Sequence, residues 1–337
     1  NIVMNTKIRI TLYSLFSMSL LSACTKSAKD KEIPEKPNLF IFLADDLGRN
    51  DLGCTGNKYV ESPNIDSFAE DGIVFTKMYT PTAMSAPSRS SLYTGLYPHS
   101  HGCHMNHGPT SKDVKTLPVF LKEQGYRVAL INKRHIKPKS VYPFDYVKTS
   151  QLNNYLSDKE SPLCVIYASD EPHAPHPTDN IHPDSVMIPP KWVDTQATRK
   201  KLAGYYQDIS KLDREFRRFK KILQANQLDS NSITIFTSDH GYEYFAKWTC
   251  YEAGLNVPFF LKSKGFSFKA DTIEALTSFV DMVPTFIELA GGKPPENLDG
   301  KSLLPLLRGS NTPIHEYIYG THTNRGIYSG KAYPIRS

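Results

Sequence analysis

The chain has 337 residues, of which 39% are hydrophobic, so it can bury a core of substantial size. Its formal net charge of +6 suits an anionic ligand, but no run of Lys and Arg is dense enough to indicate nucleic-acid binding. The 5 cysteines form no CxxC pair, which argues against a zinc site. A disulfide among the cysteines that follow residue 24 stays an open alternative in an oxidising compartment.

The N-terminal segment is predicted to be a targeting sequence rather than part of the fold. Residues 4–9 form a short basic stretch, and residues 10–21 form an apolar stretch that is too short for a stop-transfer helix. The run Leu21-Ser22-Ala23-Cys24 resembles the lipobox of bacterial lipoproteins. We therefore expect a signal peptide at 1–23 and a lipidated Cys24 with a polar tether at 24–36, which implies a lipoprotein of the periplasm or cell surface. An ordinary signal peptide that contains a cysteine is the alternative.

Apolar runs separated by helical patterns make up most of the remaining chain. The runs are nearly continuous, as buried parallel strands require, and they cover 38–44, 126–131, 162–168, 232–237 and 257–261. Helices are predicted at 64–71, 117–124, 198–226 and 275–290. This alternation predicts an α/β fold, in which a mostly parallel central sheet is sandwiched between helices. The apolar stripe of 198–226 is assigned to the core and to no chemistry.

Acidic and basic residues come soon after four of these strands. They are Asp45 and Asp46, Lys133 and His135, His173, and Asp239 and His240. Ligands of open α/β sheets bind at the carboxyl ends of the strands, so these side chains are candidates for one common site. Asp45 and Asp46 would repel each other unless a cation joined them. Alternation along an extended segment would put Lys133 and His135 on one side. The alternatives are capping carboxylates, solvated loop cations and an ordinary loop histidine.

Residues 85–95, which read Ser-Ala-Pro-Ser-Arg-Ser-Ser-Leu-Tyr-Thr-Gly, predict a short helix. Pro87 suits its first turn and Gly95 its left-handed end. Ser85 would lie at the helix N-terminus, where backbone N–H groups favour negative charge, and Arg89 would share its face. This arrangement suits an oxyanion, and a serine N-cap on a surface helix is the alternative. No general base adjoins Ser85 in the sequence, so an unmodified serine lacks an activating neighbour there.

The candidate residues form one set for a cation and one for an anion. The first set is rich in oxygen ligands, which suit Ca²⁺ or Mg²⁺, and consists of Asp45, Asp46, Asp239 and His240. The second set consists of Arg89, Lys133, His135, His173 and Lys247. Such groups around an oxyanion suit hydrolysis of a sulfate or phosphate ester, because that catalysis depends mainly on electrostatic stabilisation.

These motifs carry a resemblance to the type I sulfatases of the alkaline phosphatase superfamily. Residues 85–95 match the family signature (Cys or Ser)-x-Pro-Ser-Arg-x-x-x-x-Thr-Gly in full. The other candidates follow in family order as Asp45-Asp46, Lys133-x-His135, Pro172-His173, Asp239-His240-Gly241 and Lys247. The resemblance covers about residues 37–307. It implies an alkaline-phosphatase-like fold with a sulfatase catalytic domain at 37–310.

The resemblance also implies a role for each residue. Ser85 would be oxidised to formylglycine (3-oxoalanine) by a separate radical-type maturation enzyme, since Ser in place of Cys resembles the bacterial motif. The hydrated aldehyde would attack sulfur, and its second hydroxyl would then expel the sulfate. The implied Ca²⁺ ligands are Asp45, Asp46, Asp239, His240 and an oxygen of residue 85, with His240 standing where many relatives have Asn. Arg89 and Lys133 would stabilise the diol, and Lys247 and His173 would hold sulfate oxygens. Either His135 or His173 would act as acid or base.

A closer resemblance is to the sulfamidases, the N-sulfoglucosamine sulfohydrolases of heparan sulfate breakdown. It rests on the runs 133–136, 141–145 and 333–337, for which packing is the alternative role. It would place His322 and Arg325 where the sugar is recognised. Sulfamidases continue past the last run into a smaller C-terminal subdomain, so we expect 311–337 to be the start of an incomplete one.

The sequence therefore predicts a sulfatase that removes sulfate, foremost the N-sulfate of glucosamine, from heparan-type glycosaminoglycan fragments. An O-sulfatase for another sugar and a non-catalytic glycan-binding relative are the alternatives, and a phosphodiester or phosphonate hydrolase is less favoured. The expected partners are a sulfated carbohydrate, the maturation enzyme and, through Cys24, a membrane.

Overall fold

A computed structural model describes residues 36–177, 182–189, 192–244, 246–265 and 267–323, together with the backbone of 331–335. The predicted signal peptide, Cys24 and Arg325 lie outside the described residues. The chain from Ile33 to Ser337 forms one compact unit. Within the described part, no helix is both long enough and apolar enough to cross a bilayer. The four cysteines described there, Cys54, Cys103, Cys164 and Cys250, are free thiols, so the disulfide alternative is not realised.

The strands and helices follow the predicted alternation. The strands are β1 (Asn38–Ala44), β2 (Ile73–Phe75), β3 (Met78–Tyr79), β4 (Arg127–Asn132), β5 (Asp145–Val147), β6 (Leu163–Ala168), β7 (Ser232–Ser238), β8 (Phe259–Lys264), β9 (Thr272–Ile273), β10 (Thr277–Ser278), β11 (Ile318–His322) and β12 (Lys331–Ile335). The helices are α1 (Pro63–Glu70), α2 (Ser85–Thr94), α3 (Pro98–His101), α4 (Leu117–Glu123), α5 (Leu152–Ser157), α6 (Gln196–Ala225), α7 (Glu252–Leu255), α8 (Met282–Leu289) and α9 (Leu304–Leu307).

The central sheet has eight strands in the order β5-β4-β6-β1-β7-β8-β2-β9. Strand β8 is antiparallel to both of its neighbours, and every other pairing in the sheet is parallel. The predicted mostly parallel sheet is therefore confirmed. Strand β1 lies at its centre, with Leu39 beside Cys164 of β6 and Ile233 of β7. Because these strands run the same way, their carboxyl ends meet at one edge.

Alternate side chains of β1 build two separate cores, one on each face of the sheet. Leu39, Ile41 and Leu43 pack with α2, α4 and α8. Phe40 and Phe42 pack on the other face with α1 and α6. There the ring of Phe42 stacks on its neighbours in β6 and β7, at 5.1 Å from Tyr167 and 5.9 Å from Phe236. Helices therefore cover both faces, as predicted, and the site at the sheet edge rests on a rigid layer.

One predicted helix is wrong in its first half. The pattern of 275–290 predicts a single helix, but 277–278 form β10, residues 279–281 form a 3₁₀ turn, and only α8 is helical. The carboxylate of Asp281 accepts hydrogen bonds from Ser278 N at 2.8 Å, Lys301 N at 2.8 Å and His315 Nε2 at 2.8 Å. These tertiary contacts fix the chain in a turn at the point where the apolar period alone favours a helix.

Candidate active site

The central strands deliver three carboxylates to one point. Asp45 and Asp46 follow β1, and Asp239 follows the adjacent β7, where Ala44 pairs with Ser238. The carboxylate of Asp239 accepts from Asp46 N at 3.1 Å, and Asp239 N donates to Ala44 O at 3.1 Å. All three carboxylates are fully buried. Buried carboxylates at such short range require nearby positive charge.

Ser85 lies against this cluster as the first residue of α2. It does not cap the helix, because Met84 is the N-cap residue and the Ser85 side chain turns inward. Its Oγ lies 3.1 Å from His240 Nε2 and 3.4 Å from Asp45 Oδ1. Nδ1 of His240 faces Gly241 O at 2.9 Å and therefore carries a proton, which leaves the Nε2 lone pair toward Ser85. A base thus adjoins Ser85 in space, although none does in the sequence.

Arg89 lies one turn along α2 and joins two of the carboxylates. Its Nε donates to Asp239 Oδ2 at 3.0 Å, and NH2 donates to Asp45 Oδ1 at 3.2 Å, with all three side chains fully buried. The predicted shared face of Ser85 and Arg89 is confirmed, since both reach Asp45. The third nitrogen, NH1, is buried and has no hydrogen-bond partner among the described residues, so its two N–H groups remain for a ligand.

Two lysines complete the positive charge. Lys133 donates to Asp45 Oδ2, and Lys247 donates to Asp46 at 3.0 and 2.7 Å. Burial would raise the pKa of Asp239, but the surrounding positive charges, among them those of Arg89 and Lys133, outweigh burial and lower the pKa below its usual range. Burial lowers the pKa of Lys133. The cluster therefore balances three carboxylates against three cationic side chains.

A divalent cation fits part of this cluster. Asp46, Asp239 and His240 are buried, and each offers a ligand atom within 4.8 Å of the others. Nε2 of His240, with its lone pair, lies 3.2 Å from Asp46 Oδ1. These two electron-rich atoms require positive charge between them. Asp45, the fourth predicted ligand, lies outside this triad because Arg89 and Lys133 engage its two oxygens. The donor set is mostly oxygen, which suits Ca²⁺.

Comparison with known proteins now assigns the family. Residues 37–160 and 141–292 match the family model for sulfatases. The chain belongs to the sulfatase family. It is 36% identical over 328 residues to an ulvan-active sulfatase of Formosa agariphila, covering 91% of this chain and 65% of that protein. It is 24% identical over 360 residues to the N-sulphoglucosamine sulphohydrolase of Homo sapiens, covering 89% of this chain and 71% of that protein.

Solved structures confirm the predicted fold. A putative sulfatase from Bacteroides fragilis superposes with a TM-score of 0.75 at 21% identity, covering 88% of this chain and 83% of that one. A phosphonate monoester hydrolase of Agrobacterium radiobacter gives a TM-score of 0.73 at 18% identity, covering 87% and 82%. The fold is therefore shared by sulfur and phosphorus hydrolases. The chain spans about two thirds of the length of the curated relatives named above.

His135 lies beside the carboxylate cluster, with a backbone conformation that was not predicted. Asn132 and His135 have φ of 62° and 47°, so the segment is not extended as predicted. Nε2 of His135 lies 2.9 Å from Nδ1 of His107. Burial, followed by the charges of Arg89, His107 and Lys133, lowers the pKa of His135 to about 3. His135 is therefore neutral at neutral pH.

His173 and His322 lie farther from the carboxylates. Nε2 of His173 is 3.9 Å from Asp46 Oδ2, and its side chain is 37% exposed at a cavity of about 610 Å³ that Lys133 also lines. His322 ends β11, where Thr321 N donates to Pro81 O at 2.7 Å, and it is half-buried. Pro81 shortly precedes Ser85 in the chain, so His322 belongs to the same side of the molecule as α2. The structure thus brings the other described candidates together and leaves His322 at the periphery.

Several supporting residues were not predicted. Ser88 donates to Asp239 O at 2.5 Å and accepts from Thr80 Oγ1 at 2.7 Å, which fixes α2 to the end of β7. Asn106 accepts from Ala86 N at 3.1 Å and so satisfies a free N–H of the first turn. With His107, Asn106 belongs to a polar stretch after α3 in which histidines recur. The recurring histidines are the sequence feature that could have identified this stretch as part of the site.

We expect the free energy of unfolding to decrease as the pH is lowered from about 6.5, because of His101. A buried neutral histidine resists the proton that the same residue accepts in the unfolded chain. His101 is fully buried, accepts from Cys103 N at 3.1 Å and faces Ser91 Oγ at 3.0 Å. Burial lowers its pKa from 6.5 to about 3. The free energy of unfolding should therefore decrease by up to about 1.4 kcal/mol per pH unit from this group as the pH falls through that window.

Urea unfolding of the wild type and His101→Gln at about pH 7 and about pH 5 measures this contribution. Glutamine can donate to Ser91 but does not titrate, so the variant should lose less stability between the two pH values. Equal losses in the two proteins would contradict the assignment.

Proposed function

We propose that the protein is a hydrolase that removes sulfate from sulfated glycans. The observation that carries the proposal is the position of Ser85, buried at the start of α2 between the carboxylate cluster and His240. The helix N-terminus, the free NH1 of Arg89 and the two lysines supply positive charge where an oxyanion would develop. Membership of the sulfatase family supports sulfur rather than phosphorus as the reacting centre.

We propose that Ser85 acts as formylglycine after oxidation by a separate maturation enzyme. Its hydrated form would supply one oxygen for attack on sulfur and a second hydroxyl that expels the sulfate. The full signature at 85–95 supports this proposal. An unmodified Ser85 activated by His240 is the competing arrangement, because Nε2 of His240 lies within hydrogen-bond distance. The mass of residue 85 in active protein separates the two.

We propose Asp46, Asp239 and His240 as Ca²⁺ ligands, with Asp45 and an oxygen of residue 85 nearby. The bound ion would supply fixed positive charge beside the reacting oxygen. Lys247 would then be free to leave Asp46 and hold a sulfate oxygen, and Lys133 and Arg89 would hold the diol. His173 would hold a second sulfate oxygen from the exposed side. Either His135, which its low pKa keeps neutral, or His173 would act as the acid or base.

We expect Ca²⁺ to raise the thermal unfolding midpoint and a chelator to reverse the rise. Binding at about 100 times the dissociation constant stabilises a protein by about 2.7 kcal/mol. Asp46→Ala removes one ligand, and we expect it to weaken Ca²⁺ affinity by at least about tenfold in calorimetric titration. Asp71→Ala is the matched control, because Asp71 pairs with Lys262 at the surface. Unchanged affinity in Asp46→Ala would contradict this ligand set.

The substrate proposal has two specific forms. Similarity to the human N-sulphoglucosamine sulphohydrolase and the runs at 133–136 and 141–145 support the N-sulfate of glucosamine. The higher identity to an ulvan-active sulfatase supports an O-sulfate of another sulfated polysaccharide. His322, near α2 at the periphery, and Arg325 are our candidates for sugar recognition in either case.

Sulfate release from a panel of sulfated sugars tests both forms. The panel contains N-sulfated glucosamine, 6-O-sulfated glucosamine and ulvan oligosaccharides, and co-expression with a maturation enzyme provides the modified protein. Release from N-sulfated glucosamine alone supports the first form, and release from ulvan alone supports the second. Sugar binding without turnover, in protein whose residue 85 is converted, would contradict the enzyme proposal and favour a glycan-binding relative.

We also propose that Cys24 anchors the protein at the bacterial cell envelope, which metabolic labelling with a fatty acid tests.

A further inference from the structure

The loop that carries His173 is held by one face of α6. Asp208, Lys211 and Glu215 follow each other at spacings of three and four, so they share a face of the helix. Each of them contacts the segment 167–176 that runs from β6 through His173. The pattern of 198–226 predicts an amphipathic core helix and assigns these residues no role.

The contacts differ in burial. Glu215 accepts from Tyr167 OH at 2.7 Å and from Ser169 Oγ at 2.5 Å, at the end of β6. Lys211, whose side chain is 57% exposed, pairs with Glu171. Nδ1 of His176 lies 2.9 Å from Asp208 Oδ2, and these two side chains are only 6% and 4% exposed. The His176–Asp208 pair is therefore the buried member of the three.

Packing leaves His176 little freedom. Its ring centroid lies 5.6 Å from that of Tyr205 and 6.1 Å from that of Tyr242. Gly204 faces the loop so closely that a Cβ there would clash with Pro177 O and lie 2.8 Å from His176 Cβ. The missing side chain of Gly204 thus lets the loop reach the helix. The hydrogen bond to Asp208 then fixes which way the imidazole points.

The loop has no comparable buried contact at His173 itself. Within the part of the chain that the structure describes, Nδ1 of His173 faces only Ala174 O, at 2.6 Å, and Nε2 lies 3.9 Å from Asp46 Oδ2, which is beyond a hydrogen bond. His173 therefore depends on its neighbours for its direction. A shift of the loop would move Nε2 relative to the carboxylate cluster, and small misplacements of a site residue are costly.

We propose that His176 and Asp208 are positioning residues, which hold the loop so that His173 faces the sulfate site. The inference rests on the proposed function, because it assigns their effect to His173. Neither residue is placed in contact with the reacting atoms. Their effect should disappear when His173 is absent, whereas a merely structural pair would act regardless of residue 173.

The test is a cycle of full-length variants. His176→Phe combined with Asp208→Leu removes the hydrogen bond and replaces both groups with apolar side chains. His176→Asn is the conservative variant, since its amide nitrogen can still donate to Asp208. Each is combined with His173→Ala. Asp213→Asn is the matched control, because Asp213 is a buried acid of α6 that instead accepts from Asn64 N and Ile65 N.

Two readouts are compared in matured protein whose folding is verified by its thermal unfolding midpoint. They are kcat on a sulfated sugar that the wild type hydrolyses, and affinity for inorganic sulfate by calorimetry. We expect the double variant to lose about 10- to 100-fold in kcat and to bind sulfate more weakly, with His176→Asn close to the wild type. In the His173→Ala background, the double variant should cause no further loss. Asp213→Asn should melt lower but keep kcat.

Wild-type kcat and sulfate affinity in the folded double variant would overturn the inference, and so would an equal further loss in the His173→Ala background. A wild type that binds sulfate but releases it from none of the sulfated sugars counts against the proposed function alone, because the affinity series still decides the inference. A wild type that does not bind sulfate overturns both.

Discussion

Replacement of Ser85 by Ala is expected to abolish sulfate release, with kcat lower by at least about 10⁴-fold, since removal of a nucleophile typically costs this much or more. Ser85 is the residue that the carboxylate cluster, His240 and the N-terminus of α2 all face. Alanine cannot be converted to an aldehyde, and it carries no oxygen for attack on sulfur. Steady-state sulfate release from the preferred sugar measures the effect.

Ser90→Ala is the matched control on the same helix. Ser90 is also buried, but its hydroxyl donates to Ala86 O at 2.8 Å and accepts from Thr110 at 3.1 Å, away from the cluster. We expect its loss to cost about 1 kcal/mol of stability and to leave kcat unchanged. Turnover by Ser85→Ala at a tenth of the wild-type rate or faster, as an order of magnitude, would exclude residue 85 as the nucleophile.

Replacement of Arg89 by Ala is expected to lower the free energy of unfolding by about 3–5 kcal/mol, because it leaves buried carboxylates without their partner. Arg89 is fully buried and joins Asp45 to Asp239. The same change removes NH1, the donor left for a ligand, so kcat should also fall sharply. Urea unfolding in the presence of a chelator measures stability without compensation by a metal ion.

Arg199→Ala provides the surface comparison. Arg199 also forms a two-point ion pair, with Nε and NH2 each 2.6 Å from Asp194, but that carboxylate is 55% exposed. Exposed pairs contribute about 0–1 kcal/mol, so this variant should be close to the wild type. Arg89→Lys should rescue only part of the loss, since an ammonium cannot reproduce the two-point geometry. Equal stability losses in Arg89→Ala and Arg199→Ala would contradict the role of the buried pair.

The sequence was a good guide where local pattern and strand direction decide the structure. The continuous apolar run of β1 and the Asp-Asp pair after it predict a central strand with acids at its carboxyl end, and both are present. The face shared by Ser85 and Arg89 follows from helical spacing alone. These features depend on periodicity and on the direction of parallel strands, which are properties of the chain itself.

Contacts between distant segments could not be predicted in this way. His240 lies 155 positions after Ser85, and the contact of α2 with the end of β7, through Ser88 and Asp239, brings the two together. His135 has a φ of 47° and contacts His107, 28 positions earlier in the chain. Asp208 reads as a solvated residue of an amphipathic helix, yet it is buried against His176. In each case the partner comes from another element of the fold, so no local pattern contains it.

We propose that residue 85 works as formylglycine rather than as serine. Mass spectrometry of the peptide that contains residue 85, from protein shown to release sulfate after co-expression with a maturation enzyme, tests it directly. We predict that the converted peptide is lighter than the encoded one by two hydrogen atoms. The fraction of converted peptide should rise in proportion to the specific activity of each preparation. Full activity in protein whose residue 85 is entirely unmodified serine would contradict the claim and would assign the reaction to Ser85 and His240 themselves.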